Sequence, residues 1–173
     1  MPLELPFEVS TQSDIPELTG VMTRAFDDDA QKHLGQLRGG PEGYDNGDFF
    51  RTWWFGYDVT AGFKVVHQGK AVGGMVQWIL PDGHNILGAI FVEPAYQDQG
   101  VGAQMWHLVE ATYPQTKSWR LATPDCATKN NAFYVKCGFE RIASDALPGT
   151  PDGFSVYRKE MPVSSSPVRA SGS

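Results

Sequence analysis

The chain has 173 residues, 41% hydrophobic and 20% charged, with a formal net charge of -6. That length suits one domain with a sizeable core, and the acidic balance without a long basic run weighs against a nucleic-acid partner. The longest apolar run, Ile86–Val92, is far too short to span a bilayer. The start, "MPLELPFEVS", lacks the basic and hydrophobic regions of a signal peptide. Cys126 and Cys137 fit reduced thiols in a cytoplasmic protein better than a disulfide framework.

Residues 7–10 ("FEVS") predict a short strand. Asp14 and Glu17 make a capping pair, and Ile15, Leu18, Met22, Ala25 and Phe26 follow at helical spacing. Asp27–Asp29 then open a long polar and aromatic region that ends near Tyr57 and holds one or two irregular helices, including 48–57. Residues 63–80 predict a hairpin turning at Gln68-Gly69-Lys70, and 85–92 a third strand after the turn 81–84. From Val101 the apolar spacing becomes helical, through Met105, Leu108 and Val109. Residues 118–123 predict a strand, 130–139 a short helix stopped by Gly138, and 140–145 and 153–161 the closing strands. The Ser/Pro-rich stretch 162–173 predicts a disordered tail, leaving 1–161 as one domain. The strand–helix–strand around 85–123 implies one parallel crossover in an otherwise mostly antiparallel sheet.

The chemistry points to "QDQGVGA", Gln97–Ala103. Two glycines at the start of a helix let a ligand approach bare backbone. The helix start offers free N–H groups and the positive end of the dipole, which suit a phosphate-bearing ligand. The P-loop pattern is absent, and the dinucleotide fingerprint fails because Met105 stands at its third glycine. A single pyrophosphate loop of the coenzyme A type remains.

The stretch "QDQGVG" (97–102) resembles the Q/R-x-x-G-x-G/A signature of the Gcn5-related N-acetyltransferase (GNAT) family, and "FYVKCGF" (133–139) resembles that family's FYxKxGF element. The resemblance spans roughly residues 7–161. It implies an α/β (α+β) acyl-CoA N-acyltransferase fold: a mixed, mostly antiparallel sheet of six to seven strands flanked by about four helices. It implies acetyl-CoA as co-substrate and no metal. Ile90, Phe91 and Val92 would pair with the pantetheine arm; Gln97, Asp98, Gln99, Gly100, Val101, Gly102 and Ala103 would hold the pyrophosphate. Gln97 stands where Arg is frequent, which removes a charged phosphate contact. Ala127 stands where many members carry Asn, whereas Asn130 resembles an Asn of another subgroup and would contact the coenzyme instead. Tyr134 matches the tyrosine that protonates the departing thiolate, a role a phenol can fill. The glutamate that some members use as base would fall near Ile86, so the base is open among His84, Glu93 and a backbone-held water.

The implied activity is acetyl transfer from acetyl-CoA to a primary amine, in a ternary complex. The acceptor is expected to be a small molecule such as a polyamine, amino acid or aminoglycoside-like compound. The alternatives are a non-catalytic acyl-CoA sensor and a protein or peptide N-acetyltransferase. A homodimer is possible. The acidic and aromatic residues of 27–57 suit a cationic amine, although most of them are expected to solvate a loop or pack on the sheet. Cys137 is expected to be a small buried hydrophobe rather than a nucleophile, and the four histidines show no metal-ligand spacing.

Overall fold

A computed structural model describes residues 5–58 and 60–162. The elements run β1 (Phe7–Val9), α1 (Ile15–His33), a π-helical turn (Phe50–Trp54), β2 (Thr60–His67), β3 (Lys70–Trp78), β4 (His84–Val92), α2 (Val101–Thr112), β5 (Ser118–Pro124), α3 (Thr128–Lys136), β6 (Glu140–Ile142) and β7 (Phe154–Glu160). Short 3-10 turns lie at Gln12–Asp14, Pro94–Tyr96 and Ser144–Ala146. The strands form one sheet in the order β1-β2-β3-β4-β5-β7-β6. All pairs are antiparallel except β4 with β5, which α2 joins as a crossover. This is the open mixed sheet of the acyl-CoA N-acyltransferase fold. The tail read from the sequence lies outside the described residues from 163 onward.

Two elements differ from the sequence reading. Asp27–Asp29 do not open a loop, because α1 continues to His33. Acidic groups near a helix C-terminus oppose the dipole. Here Asp28–Lys32 at 2.9 Å and Asp29–His33 at 3.7 Å pair along the helix, and Ala30 is buried beneath them. The strand expected over 140–145 stops at Ile142, and a 3-10 turn begins at Ser144. The hairpin turn is as expected: Gln68 and Gly69 both take positive φ, at 53° and 78°.

Each face of the sheet carries its own core. On one, α2 and α3 set Met105, Trp106, Val109 and Tyr134 against Met75, Leu87, Trp119, Leu121 and Tyr157. Trp106 packs edge-on to Trp119 at 5.4 Å. On the other, α1 sets Leu18, Val21, Met22 and Ala25 with Phe49, Phe50 and Trp54 against Ala71, Val76 and Phe91. The aromatics of 49–54 therefore divide: Phe49, Phe50 and Trp54 are core, while Trp53 stays exposed and stacks on Tyr57.

The parallel pair is short. β4 and β5 match at His84↔Ser118, Asn85↔Trp119 and Ile86↔Arg120 and then part. The register on the β3 side slips at the same level, with Val76 opposite Ala89 but Gln77 opposite Leu87, so Gly88 is the extra residue of a bulge. Only glycine fits there, because a Cβ would come within 1.9 Å of the Trp78 ring. Gly88→Ala is expected to cost about 1–3 kcal/mol of stability through overpacking. Urea unfolding checks this; an unchanged midpoint would contradict the packing described.

Candidate active site

The parting of β4 from β5 leaves a wedge. The other edge of β4 stays bonded to β3, at Ile90↔Met75, Phe91↔Gly74 and Val92↔Gly73. Beyond Ile86 the β5-facing edge has no strand partner among the described residues. Backbone polar groups on such an edge require partners. An extended ligand lying along Ile90–Val92 would supply them.

Past Val92 the chain turns through Pro94–Tyr96 into the glycine segment. Asp98 has φ 62° and Gly100 φ 81°, and α2 begins at Val101. The two glycines serve different needs. Gly100 takes the left-handed conformation beside open space. Gly102 makes room for a neighbour, since a Cβ there would lie 3.2 Å from Phe133 Cε1. The sequence reading gave both glycines to ligand approach; at Gly102 the packing of α3 on α2 is a second reason. Gly100 caps α2 without a side chain, so the first amides of a twelve-residue helix face the turn.

A cleft of about 730 Å³ joins these features. All the residues expected to bind the coenzyme line it except Gln99, which turns away and donates Nε2 to Ala95 O at 3.0 Å. Gln97 spans two elements: Nε2 donates to Val92 O at 2.9 Å and Oε1 accepts from Lys129 Nζ at 3.0 Å. Lys129 also pairs with Asp98 at 3.2 Å. A cation thus stands at the turn although Gln97 replaces the usual Arg. Sequence reasoning missed Lys129 because it comes from α3, 32 positions further on. Lys136, His107, Asp29 and Asp98 also line the cleft. Asn130 faces the cleft, whereas its neighbour Asn131 is structural. Asn131 donates to Ala127 O and Pro124 O and accepts from the Tyr157 hydroxyl at 2.6 Å.

Tyr134 sits behind the lining. Its ring packs 5.5 Å from Phe133, 5.9 Å from Phe139 and 6.2 Å from Tyr157, and the residue is 7% exposed. Burial, with the Cys137 sulfur nearby, holds its phenol well above the usual tyrosine range, so it keeps its proton at neutral pH. Cys137 lines the cleft, and burial pushes its thiol up to about 11. A thiol so raised is a poor nucleophile at neutral pH.

Neither named base candidate lines the cleft. Glu93 is held in a bidentate pair by Arg24, Nε–Oε1 at 2.6 Å and Nη2–Oε2 at 2.8 Å. His84 begins β4, at the opposite end from the glycine turn, with Nδ1 2.7 Å from Ser118 Oγ. The aspartates of 27–48 are also engaged locally. Asp27 accepts from the Tyr44 hydroxyl at 2.5 Å and from Gly39 N, and Arg38 bridges Asp27 and Asp45. Asp48 pairs with Arg51. These contacts pin the 34–48 segment onto α1. Among the described residues no group of three His, Cys, Asp or Glu side chains could hold a metal, and no helix is long and apolar enough to cross a membrane.

Comparison with known proteins agrees with this geometry. Residues 59–141 match the model of the acetyltransferase (GNAT) domain. The uncharacterized protein YrkN of Bacillus subtilis (strain 168) is 35% identical over 137 residues, which cover 78% of this chain and 72% of that protein. A GNAT-family acetyltransferase from Staphylococcus aureus Mu50 superposes with a TM-score of 0.71 at 17% identity, covering 92% of this chain and 100% of that one. The PaiA N-acetyltransferase of Thermoplasma acidophilum, solved in complex with coenzyme A, superposes at 0.70 with 13% identity, covering 91% and 99%. The chain belongs to the GNAT acetyltransferase family.

Gly100→Ala is expected to cost roughly 1–2 kcal/mol, because alanine pays for a left-handed backbone. Gly102→Ala gains helix propensity and loses Phe133 packing, leaving it within about 1 kcal/mol of wild type. Thermal unfolding of both variants checks the order; the reverse order would contradict the division of labour between the two glycines.

Proposed function

We propose that this protein transfers an acetyl group from acetyl-CoA to the primary amine of a small molecule, by direct attack in a ternary complex. The observation that carries the reading is the wedge: an unpaired β4 edge that leads to a helix N-terminus flanked by Lys129. The residues fit acetyl-CoA. Ile90–Val92 offer backbone groups to an amide-bearing arm, as an added strand would. The amides after Gly100, with Lys129, suit a pyrophosphate. Bound there, acetyl-CoA supplies an activated acetyl group as a thioester.

The remaining steps concern protons. An alkylamine is largely protonated at neutral pH and must lose a proton before it attacks. Ile86 supplies no carboxylate at the deep end of the wedge, and Glu93 and His84 are engaged elsewhere. Water takes that first proton. After attack, the adduct nitrogen carries a second proton, which passes to water, and a proton from water restores Tyr134 once the phenol has protonated the departing sulfur. Tyr134 is a donor only, since burial keeps it protonated, and it passes a proton to the sulfur. The half-buried, protonated Cys137 supports direct attack over a covalent acetyl-cysteine.

Thiol release from acetyl-CoA across amines, amino acids and peptides tests the reading. Tyr134→Phe is expected to lower kcat about 100-fold while acetyl-CoA raises the melting temperature as in wild type. Unchanged kcat would remove Tyr134 from the reaction. With water as base, the rate is expected to climb tenfold per pH unit until the acceptor amine itself titrates, near pH ~10 for a lysine-like amine. A plateau near pH ~6–7 would instead reveal a protein base. Acetyl-CoA binding with no release to any amine would favour a sensor.

A further inference from the structure

At the apex of the wedge, where β4 and β5 part, one row of residues crosses the sheet: Ile86 on β4, Arg120 on β5 and Arg158 on β7. Directly opposed residues share a face. Arg120 lies between Trp119 and Leu121, which point into the α2–α3 core, so it points to the α1 side. Arg158, flanked by Tyr157 and Lys159, does the same, since Lys159 reaches Glu110 of α2 at 2.6 Å. Beside them on the α1 side, the Trp78 ring covers Gly88.

Two arginines directly opposite each other repel. Their surroundings relieve this unequally. Arg158 pairs with Glu160 and stands opposite Glu140. Arg120 has only Ile86 and Arg158 as strand neighbours, and the hydrogen bond described for it runs from Nη1 to Ala146 O at 2.8 Å. The Nε atoms of both arginines lie below the surface with no partner among the described residues. Ala146 O fixes the Arg120 guanidinium and leaves further N–H groups of a rigid fork that matches an oxyanion.

We propose that Arg120, supported by Arg158, binds an oxyanion on the acceptor, so that the substrate is a small primary amine that also carries a carboxylate or phosphate. The inference rests on the acetyl-transfer reading above and narrows it. Asp27, Asp28, Asp45 and Asp48 pair with Arg38, Lys32 and Arg51 within their own segment, and the ion pairs found for them do not include Arg120. Arg120 is a specificity-determining residue in this account; it takes no part in the proton transfers.

Matched acceptors test it: an amino acid against its carboxamide, and phosphoethanolamine against ethanolamine. In wild type, kcat/KM is expected to favour the anionic partner of at least one pair by about tenfold or more, chiefly through KM. Arg120→Gln is expected to shrink that preference to within about twofold, while acetyl-CoA raises the melting temperature as before. Arg120→Lys restores part of the preference, and Arg158→Gln lowers it less than Arg120→Gln. Amines and carboxamides used as well as their anionic partners would overturn the inference and leave acetyl transfer standing. Equal losses on both members of a pair in Arg120→Gln would mark a structural role and overturn it too. Equilibrium titration of the coenzyme A-loaded protein with the same compounds reads the anion site without turnover. No preference for the anion there would overturn the inference, even if no compound is acetylated.

Discussion

The structure turns on the brevity of one parallel strand pair. β4 and β5 hold together for three positions and then diverge, and the Gly88 bulge under the Trp78 ring bends β4 at that level. A continuous sheet would bury every backbone group of β4 in its own ladder. Divergence leaves a row of them open and creates a slot whose shape suits an extended amide-bearing chain. The two cores keep the slot open. Trp106 and Trp119 fix α2 on one face, while α1 and the Phe49–Trp54 aromatics fix the other.

Charge is unevenly placed around that slot. At the wide end, the α2 N-terminus and Lys129 favour an anion, and Gln97 ties Lys129 to the end of β4. On the α1 side of the apex, outside the lining of the cleft, lie Arg120 and Arg158, whose buried Nε atoms have no partner among the described residues. Asp27, Asp28, Asp29, Asp45 and Asp48 pair with basic side chains along α1 and the segment that follows it. Net charge alone therefore says little about what this cleft attracts. Burial sets the proton-holding groups between the two ends: Tyr134 and Cys137 both keep their protons at neutral pH because the charged forms would be desolvated.

Much of this was legible in the chain. The order of elements along the chain and the crossover followed from periodicity and turn residues, because those signals are local. The glycine turn and the 133–139 element were short patterns whose spacing matched a family. What escaped the sequence was long-range. Lys129 meets Gln97 across 32 positions, and no local pattern marks it. Arg120 and Arg158 become opposite only through the β5–β7 register. The extension of α1 through Asp27–Asp29 was hidden because a run of three acids reads as a loop, whereas the compensating Lys32 and His33 lie one turn later. Sequence alone also could not tell that Glu93 is held by Arg24, 69 positions earlier.

The central claim is that the wedge between β4 and β5 holds the acyl-CoA. Amide hydrogen exchange, with and without acetyl-CoA, reads this directly. The account predicts slowed exchange at two separated places: the Ile90–Val92 edge of β4 and the first turn of α2 after Gly100. Acetyl-CoA that leaves both segments unprotected, or that protects a different surface, would contradict it.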